Sequence, residues 1–80
     1  MSAVTEAPES GSVAKLLDFL IAEHKLKNDA ELAREMKVAP PVISKLRNDH
    51  LPLGPTYILH IHEHFGIGVA EIRQRGNVHN

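Results

Sequence analysis

The order of apolar and polar residues along the chain predicts a series of short helices. Apolar side chains recur at spacings of three, four and seven residues, which is the period of one buried helix face, and no stretch alternates in the manner of a strand. The first such segment, "SVAKLLDFLIAEH", is predicted to form a helix with Ser12 as its N-cap. Its expected buried stripe is Val13, Leu16, Leu17 and Leu20.

A second helix is predicted in "LKNDAELAREM", starting near Asp29. Asn28 stands three residues before Glu31, the capping-box arrangement in which each side chain satisfies a free backbone donor at a helix start. The periodic positions Leu32, Ala33 and Met36 are expected to be buried.

A third helix is predicted after the proline pair in "VAPPVISKLRND". A residue that precedes proline is pushed out of the helical region, so we expect Pro40 at the cap and Pro41 at the first helical position. Ile43 and Leu46 are expected to face the core. The outward residues of this helix are then Ser44, Lys45, Arg47 and Asn48.

Two further helices are predicted in the C-terminal part. Gly54 and Pro55 are start signals for "TYILHIHEHFG", with Gly66 as its C-cap, and Gly68 starts the short helix "VAEIRQR". The residues expected to be buried are Ile58, Ile61, Phe65, Val69 and Ile72. The predicted organisation is a flexible leader over 1–11, one helical domain over 12–75 and a frayed tail over 76–80.

The amino-acid composition excludes several classes of site and of protein. Eighty residues form one small domain, and the lack of cysteine excludes disulfides, thiolate zinc sites and cysteine nucleophiles, which fits a reducing cytoplasm. No segment approaches the roughly 20 apolar residues of a membrane span, and the leader has neither a basic nor an apolar signal region. No motif unites a nucleophile, a base and an orienting group, so we expect neither an enzyme nor a cofactor.

The charge is unevenly distributed. The net charge is −1, whereas nucleic-acid-binding domains usually carry a basic surface. Residues 37–48, however, contain Lys37, Lys45 and Arg47 with no acidic residue, while Glu6 and Glu9 lie in the leader. The third helix is therefore locally positive.

The segment "NDAELAREMKVAPPVISKLRND" resembles the helix-turn-helix of the lambda repressor and Cro family, and "LGPTYILHIHEHFGIGVAEI" is similar to its two C-terminal helices. The resemblance covers about 55 residues, and it rests on packing residues such as Ala33, Val38, Ile43 and Leu46. It implies an all-α, five-helix lambda-repressor-like DNA-binding domain. In this family the third helix enters the major groove, and a dimer spans two half-sites of double-stranded DNA.

The resemblance also implies site residues. By position, the base-reading residues are Pro40, Pro41, Ser44 and Lys45, and the phosphate-binding residues are Lys37, Arg47 and Asn48. Asn48 has the alternative role of capping the third helix. The chain departs from the family at Lys37, where glycine is usual because the turn favours positive φ. It departs again at Asp29, whose charge repels phosphate unless the side chain turns aside.

These residues favour a small homodimeric DNA-binding transcriptional regulator, such as a phage repressor or a Cro-like protein. The alternative is a protein-binding module on the same scaffold, such as an antitoxin-like or antirepressor partner.

His60 and His64 stand four residues apart on one helix but lack a third ligand, so no metal site is expected. His62 is expected to face the core with one hydrogen-bond partner.

Overall fold

The computed structural model describes residues 11–78, and this part of the chain is helical with no strand. The predicted all-α class and the five predicted helices are confirmed. The leader residues 1–10 and the tail residues 79 and 80 lie outside the described part. The helices are α1 (Ser12–Glu23), α2 (Asp29–Met36), α3 (Pro40–Arg47), α4 (Pro55–Phe65) and α5 (Val69–Arg75).

The core is built from the apolar stripe of each helix, as the periodicity predicts. Phe65 and Val69, both expected to be buried, are only half-buried and pack at its margin. Leu53 was not predicted, but it is buried from the loop between α3 and α4. The other core residues are Val13, Leu16, Leu17, Leu20, Leu32, Ala33, Met36, Ile43, Leu46, Ile58, Ile61 and Ile72.

Two predicted helix starts are wrong by one residue. Gly11, in the left-handed conformation with φ 82°, occupies the N-cap of α1, so Ser12 is already helical. Ala39 occupies the N-cap of α3 with extended φ −68° and ψ 143°, so Pro40 takes the first helical position and Pro41 the second. The restriction that proline imposes on its predecessor therefore acts on Ala39.

Four helices end in the same backbone motif. At α2, the N–H of Lys37 donates to the carbonyl of Arg34 at 3.2 Å, and the N–H of Val38 donates to that of Ala33 at 3.0 Å. This pair of bonds is the Schellman motif, which requires a left-handed residue after the helix. That residue is not a glycine in any of the four cases, which are Lys25, Lys37, Asp49 and Asn77.

The helices α2 and α3 form the closest helix pair. Only Lys37–Ala39 connect them, as predicted, and their mutual contact is the most extensive between any two helices of the described chain. Ala33 is almost fully buried, and its small side chain allows the close approach of helices that a larger residue would prevent. α1 packs against α2, α3 and α5, whereas α4 packs against α2 and α5.

The three residues that follow α5 lie against the core. Gly76 is buried, with Leu53 and Leu16 side-chain atoms close to the position that a Cβ would take. Val78 donates its N–H to the carbonyl of Arg73 at 2.8 Å and packs against the core.

No helix within residues 11–78 has the length and apolar character that a membrane span requires.

Candidate nucleic-acid interface

Four of the predicted site residues lie together on one exposed surface. Pro40, Pro41, Ser44 and Lys45 are all solvent-exposed on the first two turns of α3, and we call them the outer face of α3. The buried side of the same helix is formed by Ile43 and Leu46. Because Ile43 and Leu46 are buried in the core, the opposite side of α3, which is the outer face, points to solvent.

The proline pair changes the chemistry of the helix start. The first four N–H groups of a helix have no partner within the helix and often bind phosphate or another anion. Pro40 and Pro41 carry no N–H, and the N–H of Val42 already donates to the carbonyl of Ala39 at 2.9 Å. The start of α3 therefore offers few backbone donors, and recognition there depends on side chains.

Lys37 lies in the turn that precedes α3. It has φ 61° and ψ 43°, which confirms the positive φ expected at this position, and its side chain is exposed. Neither Lys37 nor Lys45 forms an ion pair with any of residues 11–78. Both ammonium groups are therefore available to an external anion.

Arg47 has a different environment from the two lysines. Its Nε donates to Asp29 Oδ2 at 3.0 Å and its Nη2 to Asp29 Oδ1 at 2.7 Å, which forms a bidentate pair. Its Nη1 donates to Asp18 Oδ1 at 2.8 Å. The hydrogen bond with Asp29 and, to a smaller extent, that with Asp18 raise the pKa of Arg47, and burial opposes this effect. The guanidinium thus joins α1, α2 and α3, and we call these three residues the arginine clasp.

The clasp explains the direction of the Asp29 side chain, the acidic group at the start of α2. Both carboxylate oxygens of Asp29 accept hydrogen bonds from Arg47, so the side chain is turned onto the protein and its charge is largely compensated. The Asp18 side chain remains 66% exposed, against 43% for Asp29 and 26% for Arg47. The Asp29 pair is therefore the better shielded half of the clasp.

Asn48 adopts the capping role that was one of its two predicted alternatives. Its side-chain amide donates to the carbonyl of Ser44 at 2.8 Å, and its backbone N–H donates to the same carbonyl at 3.1 Å. These bonds satisfy a free acceptor at the end of α3. Phosphate binding by Asn48 remains a prediction.

The histidines of α4 do not form a cluster with metal-binding geometry. The rings of His60 and His64 are nearly parallel with centroids 6.1 Å apart, and no group of three or more ligating side chains occurs in residues 11–78. The prediction that His62 faces the core is wrong, because its side chain is exposed. Its expected single partner is present, since Nδ1 lies 2.7 Å from the carbonyl oxygen of Ile67 in the following loop.

Sequence reasoning missed Asp18 as a partner of Arg47. Asp18 and Arg47 are 29 positions apart, and Asp29 and Arg47 are 18 apart, so no helical spacing relates them. The only signal was that an acid at the start of α2 must turn away from any bound phosphate.

Comparison of the chain with protein-family models, curated proteins and solved structures finds no match.

Proposed function

We propose that this protein is a sequence-specific, double-stranded-DNA-binding transcriptional regulator that places the outer face of α3 in the major groove. The observation that carries this proposal is the presence of Lys37 and Lys45 on a helix and turn that contain no acid, since both are exposed cations that form no ion pair with any of residues 11–78. The three-residue connection to α2 and the close α2–α3 packing support the lambda-repressor-like arrangement expected from the resemblance.

The proposal gives each residue a chemical role. Lys45 and Ser44 read base edges by hydrogen bonding, while Pro40 and Pro41 offer apolar contact to a thymine methyl group. Lys37 binds phosphate. Arg47 supports the interface through the clasp, because its three donor groups are already directed at carboxylates. A homodimer would present two such helices to a palindromic site.

The distribution of exposed apolar side chains favours DNA over a protein partner at this surface. A protein-binding face on α3 would present large apolar side chains to solvent. Among residues 11–78 the exposed large hydrophobic residue is Leu59, which is 50% exposed and lies on α4. The outer face of α3 instead presents a cation, a hydroxyl and two prolines.

The proposal is tested by substituting lysines on and away from the interface. Duplexes are first selected from a random-sequence pool, and binding is then measured by fluorescence anisotropy on the selected and on a scrambled sequence. Lys45→Ala is expected to cost about 1–3 kcal/mol on the selected site and to relax preference at one base pair. Lys37→Ala is expected to weaken both sequences alike, because phosphate contacts do not depend on the sequence.

Lys15→Ala is the matched control. Lys15 is exposed on α1 near Arg75 of α5, and its loss changes the net charge by the same amount. It is expected to leave both affinities nearly unchanged. Failure of the parent protein to enrich any sequence, or equal effects of the three substitutions, would refute the proposal.

A further inference from the structure

The solvent-facing side of α4 carries the large hydrophobic side chain that is exposed within residues 11–78. This residue is Leu59, which is 50% exposed. α4 packs against α2 and α5, with Ile58 and Ile61 buried, so the opposite side of the helix has no partner helix within the described chain. A surface cavity of about 120 Å³ on this side is lined by Thr56, Leu59, His60 and Glu63. We call these four residues the outer face of α4.

The polar groups beside Leu59 are not used within the protein. Neither His60 nor Glu63 forms an ion pair with any of residues 11–78. Nδ1 of His60 is buried without a hydrogen-bond partner, which leaves Nε2 as the ring nitrogen that can reach another molecule. Glu63 is exposed, and its carboxylate accepts hydrogen bonds. The outer face of α4 therefore presents an apolar side chain beside one donor and one acceptor.

The spacing of these groups makes the outer face of α4 complementary to itself. His60 and Glu63 are three residues apart, so they lie on the same side of the helix in adjacent turns. Two antiparallel copies related by a twofold axis at the level between Ile61 and His62 would bring His60 of each copy level with Glu63 of the other. Such a contact repeats itself, as a closed dimer requires. A parallel pair would instead place like groups against each other.

We propose that two copies of this chain associate through the outer faces of their α4 helices, in antiparallel orientation. Leu59 supplies the apolar contact, and two identical His60–Glu63 pairs set the register. The 11 residues of α4 extend over about 16 Å, so one helix pair buries less than the roughly 1,200 Å² of a standard interface, and the association is weak. Its use in DNA binding rests on the proposed function, whereas the association itself does not.

Association is tested without DNA by analytical ultracentrifugation of the full chain over a range of protein concentrations. The parent is expected to form a dimer with a dissociation constant between micromolar and millimolar. Leu59→Gln is expected to weaken the dimer at least about tenfold, because it removes the apolar contact. Since Leu59 is half exposed, its thermal midpoint should stay close to that of the parent. A parent that remains monomeric at millimolar concentration, or an unchanged dimer in Leu59→Gln, would overturn the proposal.

The register is tested by exchanging the two polar residues. His60→Glu opposes two carboxylates at each pair and is expected to weaken the dimer about three- to thirtyfold, which corresponds to the loss of two exposed pairs. His60→Glu/Glu63→His restores unlike partners in the antiparallel register and should recover the parent affinity. His50→Glu, the same change at an exposed residue outside α4, is the matched control and should have little effect. An exchange variant as weak as His60→Glu, or an equal loss in the control, would overturn the assigned pairing.

DNA binding separates this inference from the proposed function. On a selected duplex with two half-sites, Leu59→Gln is expected to bind at least about tenfold more weakly than the parent, because the second protomer is no longer held at a high effective concentration. On a duplex with one half-site the two proteins should bind equally. Equal losses on both duplexes would show that Leu59 acts within one protomer and would overturn the inference. A parent that binds no DNA would refute the proposed function, and ultracentrifugation would still decide whether α4 pairs.

Discussion

Lys37 shows how one residue combines a backbone cost with a proposed binding role. A left-handed conformation costs about 1–2 kcal/mol for a residue other than glycine, whereas glycine adopts it freely. The greater entropy of glycine in the unfolded chain offsets part of this difference, so we expect Lys37→Gly to stabilise the protein by about 0.5–1 kcal/mol. Urea denaturation measures this change.

The control for that substitution is Lys37→Ala, which removes the same charge but keeps a Cβ. It should not be stabilising, and both variants should lose nonspecific DNA affinity equally. A lower stability for Lys37→Gly than for Lys37→Ala would contradict the assigned strain.

Ala33 is the residue at which the α2–α3 packing is most sensitive to side-chain size. Its side chain is 1% exposed, and the adjoining core is filled by residues such as Met36 and Ile43. Ala33→Leu is therefore expected to overpack the helix pair and to cost about 1–3 kcal/mol in the free energy of unfolding. Ala30→Leu, at an exposed position of the same helix, is the control and should be nearly neutral. An unchanged thermal midpoint for Ala33→Leu would remove this packing argument.

At the scale of helices, the arginine clasp adds ion pairs between α1, α2 and α3, whose core contacts are apolar. The bidentate Arg47–Asp29 pair is partly shielded from water, so Arg47→Ala is expected to destabilise the protein by about 1–2 kcal/mol. A double-mutant cycle should give a coupling energy of about 1 kcal/mol for Arg47 with Asp29. The more exposed pair with Asp18 should give only a few tenths. Equal couplings would contradict the shielding assigned to Asp29.

The direction of the Arg47 pKa fixes how this stabilisation depends on alkaline pH. Its folded-state pKa is raised, so the contribution is fully present below the unfolded-state pKa and is lost only as the pH rises through the still higher folded value. The stability difference between the parent and Arg47→Ala should therefore stay constant between about pH 7 and 10. A decline over that range would show that other groups dominate.

The sequence predicts the helices well because their determinants are local. The apolar period, the capping box at Asn28 and the Gly54–Pro55 start each act within a few residues, and all three appear in the structure. Burial of Leu53 and exposure of His62 depend instead on how distant segments pack. The clasp likewise depends on tertiary structure, so the prediction could place Lys45 on an exposed face but could not show that Arg47 is held by Asp29.

At the scale of the whole molecule, the proposed function requires a chain of net charge −1 to bind a polyanion. The clasp pairs Arg47 with two carboxylates, whereas Lys45 on the outer face and Lys37 in the preceding turn form no ion pair within residues 11–78. Each phosphate that a protein neutralises contributes about −0.9 to the slope of log K against log salt concentration. Because Lys45 is assigned to a base edge, the single phosphate contact of Lys37 predicts a slope of about −1 for one protomer and about −2 for a homodimer.

Anisotropy titrations at several salt concentrations measure this slope, and sedimentation of the complex gives its stoichiometry. Lys37→Ala should lower the magnitude by about one per protomer, whereas Lys15→Ala should leave it unchanged. A slope near zero in the parent would mean that Lys37 does not contact phosphate. A slope far steeper than −2 would mean that cations outside α3 and its preceding turn carry the binding, and the major-groove assignment of the outer face would then be wrong. The shallow salt dependence follows from the clasp, because the pairing of Arg47 with two carboxylates leaves Lys37 as the cation assigned to phosphate.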